Sequence, residues 1–67
     1  MKIEGREITD QNYLDLVTYV PAHVNGNAGH LDCEQGVIIG TRENGVRVLY
    51  CSSRKVQMTP PEYLVWG

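Results

Sequence analysis

The stretch VIIGTRENGVRVLY, residues 37–50, contains two short apolar segments joined by a polar turn. Asn44-Gly45 lies between them, and Asn-Gly is the strongest short-range hairpin signal because both residues tolerate positive φ. In the second segment the side chains alternate, so they fall into two sets that face opposite sides of a sheet: Val46, Val48 and Tyr50 on one side, Arg47 and Leu49 on the other. We therefore predict an antiparallel hairpin at the centre of the fold.

Further short strands flank this hairpin. Residues 17–20 are β-branched or aromatic, and Pro21 ends that strand because proline lacks an amide donor. Residues 56–59 predict another strand, which Pro60-Pro61 ends. Residues 62–66 then predict a single helical turn followed by a last short strand.

The N-terminal part predicts a short helix over residues 9–16. Thr9 and Asp10 are good N-cap residues, and Tyr13, Leu14 and Val17 would share one helical face. The alternative is that the following strand extends backward through residue 15.

The order of these elements predicts an all-β fold: a small SH3-like antiparallel barrel with a short N-terminal helix and one long ordered loop. Short strands with tight connections pair antiparallel and curl, which hides their edges. The 67 residues form one domain, with residues 1–8 flexible, residues 9–16 helical and residues 17–66 in the barrel. A chain of about 60 residues has a thin core, so a metal or other staple would stabilise it.

Composition and charge argue against several classes of protein. The chain is 42% hydrophobic and 21% charged, which indicates a folded domain. A net charge of −2 disfavours a nucleic-acid binder, whose affinity comes largely from neutralised phosphates. No apolar run reaches the about 18 residues of a membrane span, and the polar N-terminus does not resemble a signal peptide. We expect a cytoplasmic location, where both cysteines are reduced thiols or metal ligands.

The most unusual segment is the loop from Ala22 to Gly36, which is dense in glycine and asparagine and therefore favours turns. Residues 19–37 read YVPAHVNGNAGHLDCEQGV. With its Tyr-Val-Pro, two histidines, Asp-Cys-Glu and Gly-Val, this run resembles small uncharacterised proteins encoded by bacteriophages and prophages. The resemblance extends over residues 17–65. It implies a phage or prophage origin and no particular activity.

The same loop contains potential zinc ligands. His23, His30 and Cys33 fall within eleven positions, and His30-x-x-Cys33 has the spacing of a ligand pair. Cys51 is the candidate fourth ligand: with a turn at residues 43–44, paired positions sum to about 87, which places Cys51 opposite Gly36. Complete zinc signatures carry two such pairs. The alternative is a loop ordered by hydrogen-bonded histidines and a buried thiol.

Catalysis has one candidate arrangement. Cys33 with His23 or His30 as a base matches the pair that activates a thiolate nucleophile. An oxyanion hole, an orienting group and a substrate cleft are needed as well, and 67 residues leave little room for them. We therefore predict that the chain is not an enzyme.

These features predict a binding module that acts by protein–protein contact, with a host factor as one candidate partner. The predicted contact residues belong to the loop and its flanking aromatics: Tyr19, His23, Asn25, His30, Asp32, Glu34 and Tyr63. One alternative is a zinc-stapled module. Another is a nucleic-acid-binding barrel whose phosphate contacts would be Arg42, Arg47, Arg54 and Lys55.

Overall fold

The computed structural model describes all 67 residues, as seven short strands and three 3-10 turns. The strands are β1 (Lys2–Ile3), β2 (Arg6–Glu7), β3 (Leu16–Tyr19), β4 (Glu34–Arg42), β5 (Gly45–Tyr50), β6 (Val56–Thr59) and β7 (Leu64–Trp66). The 3-10 turns are η1 (Asp10–Asn12), η2 (Ala22–Val24) and η3 (Pro61–Tyr63).

The seven strands form two antiparallel sheets. β1 and β2 make a separate hairpin, and the other five strands form one sheet in the order β6-β5-β4-β3-β7. The prediction of an all-β antiparallel fold is confirmed. β6 and β7 are the outer strands of the larger sheet and do not pair with each other. The structure contains no helix with both the length and the apolar character of a membrane span.

The predicted β4–β5 hairpin is confirmed. Arg42 pairs with Gly45 across a two-residue turn. The alternation along β5 is also as predicted, since Val46, Val48 and Tyr50 are buried while Leu49 is exposed. β4 extends beyond its predicted apolar part, residues 37–39. It does so because β3 and β5 pair with it on either side and form hydrogen bonds with the backbone of its polar and glycine residues.

A β-bulge in β4 shifts the hairpin register by one residue between Ile38 and Gly40. Gly40 has a φ of 155°, a conformation that other residues rarely adopt. The prediction that Cys51 lies opposite Gly36 is therefore wrong, since Tyr50 occupies that position. The Cys51 amide instead donates to the carbonyl of Gln35 at 2.9 Å.

The helix predicted over residues 9–16 does not form. The Thr9 hydroxyl accepts the Gln11 amide as an N-cap should, but η1 ends at Asn12. The Leu14 amide then donates to the Ile38 carbonyl at 2.7 Å, and β3 begins at Leu16, close to the alternative of a longer strand. A two-turn helix is marginal by itself, so pairing with β4 determines the conformation.

Residues 1–8, predicted to be flexible, instead contain the β1–β2 hairpin. Ile3 is fully buried in the core, and its carbonyl accepts the indole N–H of Trp66 at 2.8 Å. The Glu4 carboxylate accepts the Trp66 amide at 2.7 Å, and the Arg6 guanidinium lies 4.0 Å from the centre of the Trp66 ring. The hairpin thus engages β7, an outer strand that would otherwise present free amides.

One hydrophobic core holds these elements together. Its buried side chains come from β1, β3, β4, β5 and β7: Ile3, Val17, Ile38, Val46, Val48, Tyr50 and Leu64. The buried Tyr50 hydroxyl is hydrogen-bonded to the Thr59 hydroxyl at 2.5 Å. No buried side-chain polar atom in the chain lacks a partner.

Candidate binding site

The segment between β3 and β4, residues 20–33, is a succession of tight turns and is called the long loop below. The predicted loop ran to Gly36, but Glu34, Gln35 and Gly36 belong to β4. Five loop amides each donate to the carbonyl three residues earlier, at 3.0–3.2 Å: those of Val24, Asn25, Asn27, His30 and Cys33. The long loop is therefore ordered by its own hydrogen bonds.

Two residues allow the long loop to reverse direction after η2. Asn25 and Gly26 have left-handed φ values of 51° and 79°, as the density of asparagine and glycine predicted. The Asn27 side chain then accepts the Gly29 amide at 3.1 Å. Asn25, predicted as a binding residue, acts in the structure as the C-cap of η2.

Three predicted binding residues meet in a histidine–aspartate cluster of the long loop. His23 Nε2 lies 2.6 Å from Asp32 Oδ2, and the two histidine rings pack edge to face with centroids 6.1 Å apart. His30 Nδ1 accepts the Asp32 amide at 3.0 Å, so a neutral His30 carries its proton on Nε2. All three side chains are open to solvent. The cluster links residue 23 to residue 32 across the loop.

The hydrogen bond from His23 holds the pKa of Asp32 below its ordinary value of 3.8. A lowered pKa stabilises the loop at pH values above 3.8, and this contribution is lost as the pH falls through the lowered pKa. We expect His23→Ala to raise the Asp32 pKa toward 3.8, measured from the carboxyl carbon chemical shift in a pH titration. His23→Gln keeps a donor and should retain much of the decrease. An unchanged midpoint in His23→Ala contradicts this role.

The two cysteines are free thiols in different surroundings. The half-buried Cys33 thiol donates to the Asn27 carbonyl at 3.3 Å, whereas Cys51 is exposed in the turn after β5. No three His, Cys, Asp or Glu side chains form a group that could hold a metal ion. His23, His30, Cys33 and Cys51 are therefore not gathered into one site. The zinc prediction is tested by elemental analysis of protein purified without chelator: one equivalent supports it, and none contradicts it.

Glu34 connects the end of the long loop to the turn between β5 and β6. Its carboxylate accepts the Ser53 amide at 3.0 Å. Glu34 is also the register partner of Tyr19, so the two side chains lie on the same side of the sheet. A negative charge therefore borders the aromatic side chains next to the loop.

These aromatic side chains line a groove of about 280 Å³, called the tyrosine groove below. Tyr19 packs edge to face against both Tyr50 and Tyr63, with centroid distances of 6.4 Å in each case. Tyr50 is buried, whereas Tyr63 on η3 is 37% exposed. The rest of the lining comes from the end of β6 and the residue after it: Gln57, Met58, Thr59 and Pro60.

Tyr19, Glu34 and Tyr63 were predicted as binding residues, and the structure brings them to one end of the sheet. Met58 and Pro60 were missed. The sequence contained a signal for them, since Pro60-Pro61 marks the end of β6, but that signal does not show which side chains lie across from it.

Burial of Tyr50 raises the pKa of its hydroxyl above the ordinary value of 10.0, and the nearby Glu34 charge acts in the same direction. The folded state therefore favours the neutral phenol. The contribution of the neutral Tyr50 hydroxyl to the stability of the folded state is fully present below pH 10.0, and it is lost as the pH rises through the raised pKa.

We expect urea unfolding to show a progressive loss of stability above pH 10.0. Tyr50→Phe should be less stable at neutral pH, because Thr59 loses its partner, and its stability should fall less steeply in alkali. Tyr13→Phe is the matched control, because Tyr13 is 61% exposed. An equally steep loss in Tyr50→Phe contradicts the assignment.

The basic residues predicted as phosphate contacts lie outside the tyrosine groove. They occupy the end of β4, the middle of β5 and the turn before β6, and none forms an ion pair: Arg42, Arg47, Arg54 and Lys55. The nucleic-acid alternative stays a prediction, tested by the salt dependence of binding to short duplexes and single strands.

Comparison with known proteins found no match. No protein-family model matches this chain, and neither a curated protein nor a solved structure matches it. The resemblance of residues 19–37 to phage-encoded proteins therefore stays a prediction. What the chain does is inferred from its own geometry.

Proposed function

We propose that this chain is a small SH3-like binding module, of phage or prophage origin, that acts by protein–protein contact and not as an enzyme. Its contact surface consists of the tyrosine groove and the long loop beside it. A cytoplasmic host protein is the partner class that this origin suggests.

The order of connections supports the SH3-like architecture. A long loop follows β3, a tight hairpin joins β4 to β5, and a single 3-10 turn separates β6 from β7. β3 and β7 are neighbours, with Val17 paired to Trp66. The Val20 amide donates to the Tyr63 carbonyl at 2.7 Å, so η3 lies against the start of the long loop.

The tyrosine groove is the observation that carries the proposal. Tyrosine offers a large, rigid contact area together with a hydroxyl, and it is enriched among the residues that dominate binding energies. Tyr63, which lines the groove, leaves 37% of its surface exposed. In the long loop, Leu31 is 97% exposed, so this large apolar side chain contributes almost nothing to the fold and is free to contact a partner.

Photo-crosslinking tests this contact surface. A photo-reactive residue is placed at position 31, at position 63 or at the control position Glu43, which is exposed in the β4–β5 turn. After irradiation in a host lysate, we expect one protein to be crosslinked from positions 31 and 63 and not from position 43. Equal crosslinking from all three positions, or capture that nuclease treatment abolishes, contradicts the proposal.

The crosslinked protein, once purified, should bind the unmodified chain directly. We expect Tyr63→Ala to weaken this binding at least about tenfold, as truncation of a central aromatic residue typically does. Leu31→Asp provides a second variant that leaves the fold intact, because Leu31 is 97% exposed. Wild-type affinity in both variants contradicts the proposed surface.

A further inference from the structure

The outer face of the sheet carries a row of apolar side chains, called the outer row below. Leu16 pairs with Val37, Val37 with Leu49, and Leu49 with Val56. Register partners on neighbouring strands point to the same side, so the row crosses β3, β4, β5 and β6 without interruption. Leu16, Leu49 and Val56 are 47%, 37% and 44% exposed. Three of the four apolar side chains in line are therefore exposed, and Val37 between them is half-buried.

The outer row is separate from the tyrosine groove. On β5, Val48 and Tyr50 point into the core, whereas Leu49 between them points outward. Tyr13 and Leu14 precede Leu16 in the sequence and are 61% and 55% exposed. A row of exposed apolar side chains of this kind is typical of an interaction surface.

Arg47 places one positive charge beside the outer row. It lies two residues before Leu49 on the same face of β5, and its register partner Met58 is 41% exposed. Arg47 is half-buried, yet it takes part in none of the ion pairs of the chain, which involve only the N-terminus and two histidines as cations. A partly desolvated guanidinium without an internal partner is complementary to a carboxylate on whatever covers the row.

We propose that the outer row docks an amphipathic helix of a partner protein that carries a carboxylate beside its apolar stripe. Neighbouring strands lie about 4.8 Å apart. A helix advances about 5.4 Å per turn, which is close to the spacing of the strands. A helix lying along the row therefore places one apolar side chain, from each successive turn, opposite each successive member of the row. In an extended segment, the side chains on one face are about 6.7 Å apart. This distance exceeds the spacing of the row, so the side chains of an extended segment no longer lie opposite the row members after the first one.

A second copy of this chain is a poorer occupant of the row. It would add a second Arg47 to the interface, and like charges placed together in an interface are unfavourable. The observations therefore favour an acidic helix of another protein.

Two synthetic helical peptides test the proposal. Both carry leucine at positions i, i+4, i+7 and i+11, and they differ only in having glutamate or lysine beside that stripe. In a titration followed by methyl NMR, we expect the glutamate peptide to shift the signals of Leu16, Leu49 and Val56 and to bind at least about fivefold more tightly than the lysine peptide. Arg47→Glu should reverse this preference.

Leu49→Asp should abolish binding of the glutamate peptide, because it places a charge in the middle of the row. Ser52→Asp is the charge-matched control and should bind normally, because Ser52 is exposed in the turn after β5 and away from the row. Absence of binding, shifts confined to the tyrosine groove, or equal affinity for both peptides overturns the proposal. So does a dimer in sedimentation that Leu49→Asp converts to a monomer, which would assign the row to a second copy. None of these outcomes depends on crosslinking from positions 31 and 63.

Discussion

Gly36→Ala is expected to lower the free energy of unfolding by about 3 kcal/mol, at the upper end of the usual range for overpacked positions. A Cβ at residue 36 would lie 2.6 Å from Val48 Cγ1 and 2.7 Å from the Leu49 carbonyl oxygen. Val48 is fully buried and Leu49 O is backbone of the neighbouring strand. Relief of the clash therefore requires the core or the β4–β5 pairing to open.

This loss is a large fraction of what such a chain has available, since about 0.05–0.15 kcal/mol per residue is typical. We expect the Tm to fall by more than about 10 °C, measured by circular dichroism together with urea unfolding. Gly29→Ala is the matched control, because the nearest atom to its added Cβ, Asn27 Oδ1, lies at 3.5 Å. It should change stability by no more than about 0.5 kcal/mol. Wild-type stability in Gly36→Ala contradicts the packing described for β4 and β5.

Ile3→Ala should cost about 2–5 kcal/mol, the range for removing most of a buried aliphatic side chain from a core that cannot collapse around the cavity. Ile3 has no exposed surface and belongs to the same cluster as Val17 and Leu64. Its carbonyl also holds the Trp66 indole. Loss of the Ile3 anchor should therefore loosen the β1–β2 hairpin and uncover the edge of β7.

A series of substitutions distinguishes the loss of the buried Ile3 side chain from the general effect of any mutation in the β1–β2 hairpin. Ile3→Val should cost only about 0.5–1.5 kcal/mol. Lys2→Ala, one residue away and exposed, should leave stability within about 0.5 kcal/mol of the wild type. Urea unfolding gives the three values, and amide exchange at Trp66 reports on the edge of β7. A stable Ile3→Ala variant with a protected Trp66 amide would mean that the hairpin does not anchor β7.

The features predicted correctly are those with a local cause. The β4–β5 hairpin lies where Asn44-Gly45 predicted it, with Glu43 and Asn44 as the two turn residues and Gly45 as the first residue of β5. The burial of β5 follows from a period of two residues, and the turns of the long loop follow from its glycine and asparagine content. Each of these signals is contained within a few positions of the chain.

The features predicted wrongly, or missed, depend on distant parts of the chain. Thr9 caps a turn, but the Ile38 carbonyl captures the Leu14 amide and ends the helical pattern. β1 and β2 have two residues each, too few to show any periodicity. The bulge before Gly40 shifts the register, and so it moved Cys51 away from its predicted place.

The loop that stood out in the sequence is ordered by its own hydrogen bonds, whereas the residues packed beside it are determined by the fold. By itself, the sequence determined the central hairpin, the inward and outward faces of β5 and the turn-rich character of the loop. Tertiary structure alone decided the β1–β2 hairpin, the tyrosine groove and the outer row. The contacts of the β1–β2 hairpin, for example, join Glu4 and Ile3 to Trp66, which lies 62 and 63 positions later in the chain. Their stability comes from shared burial and pairing across strands, which no short stretch of sequence contains.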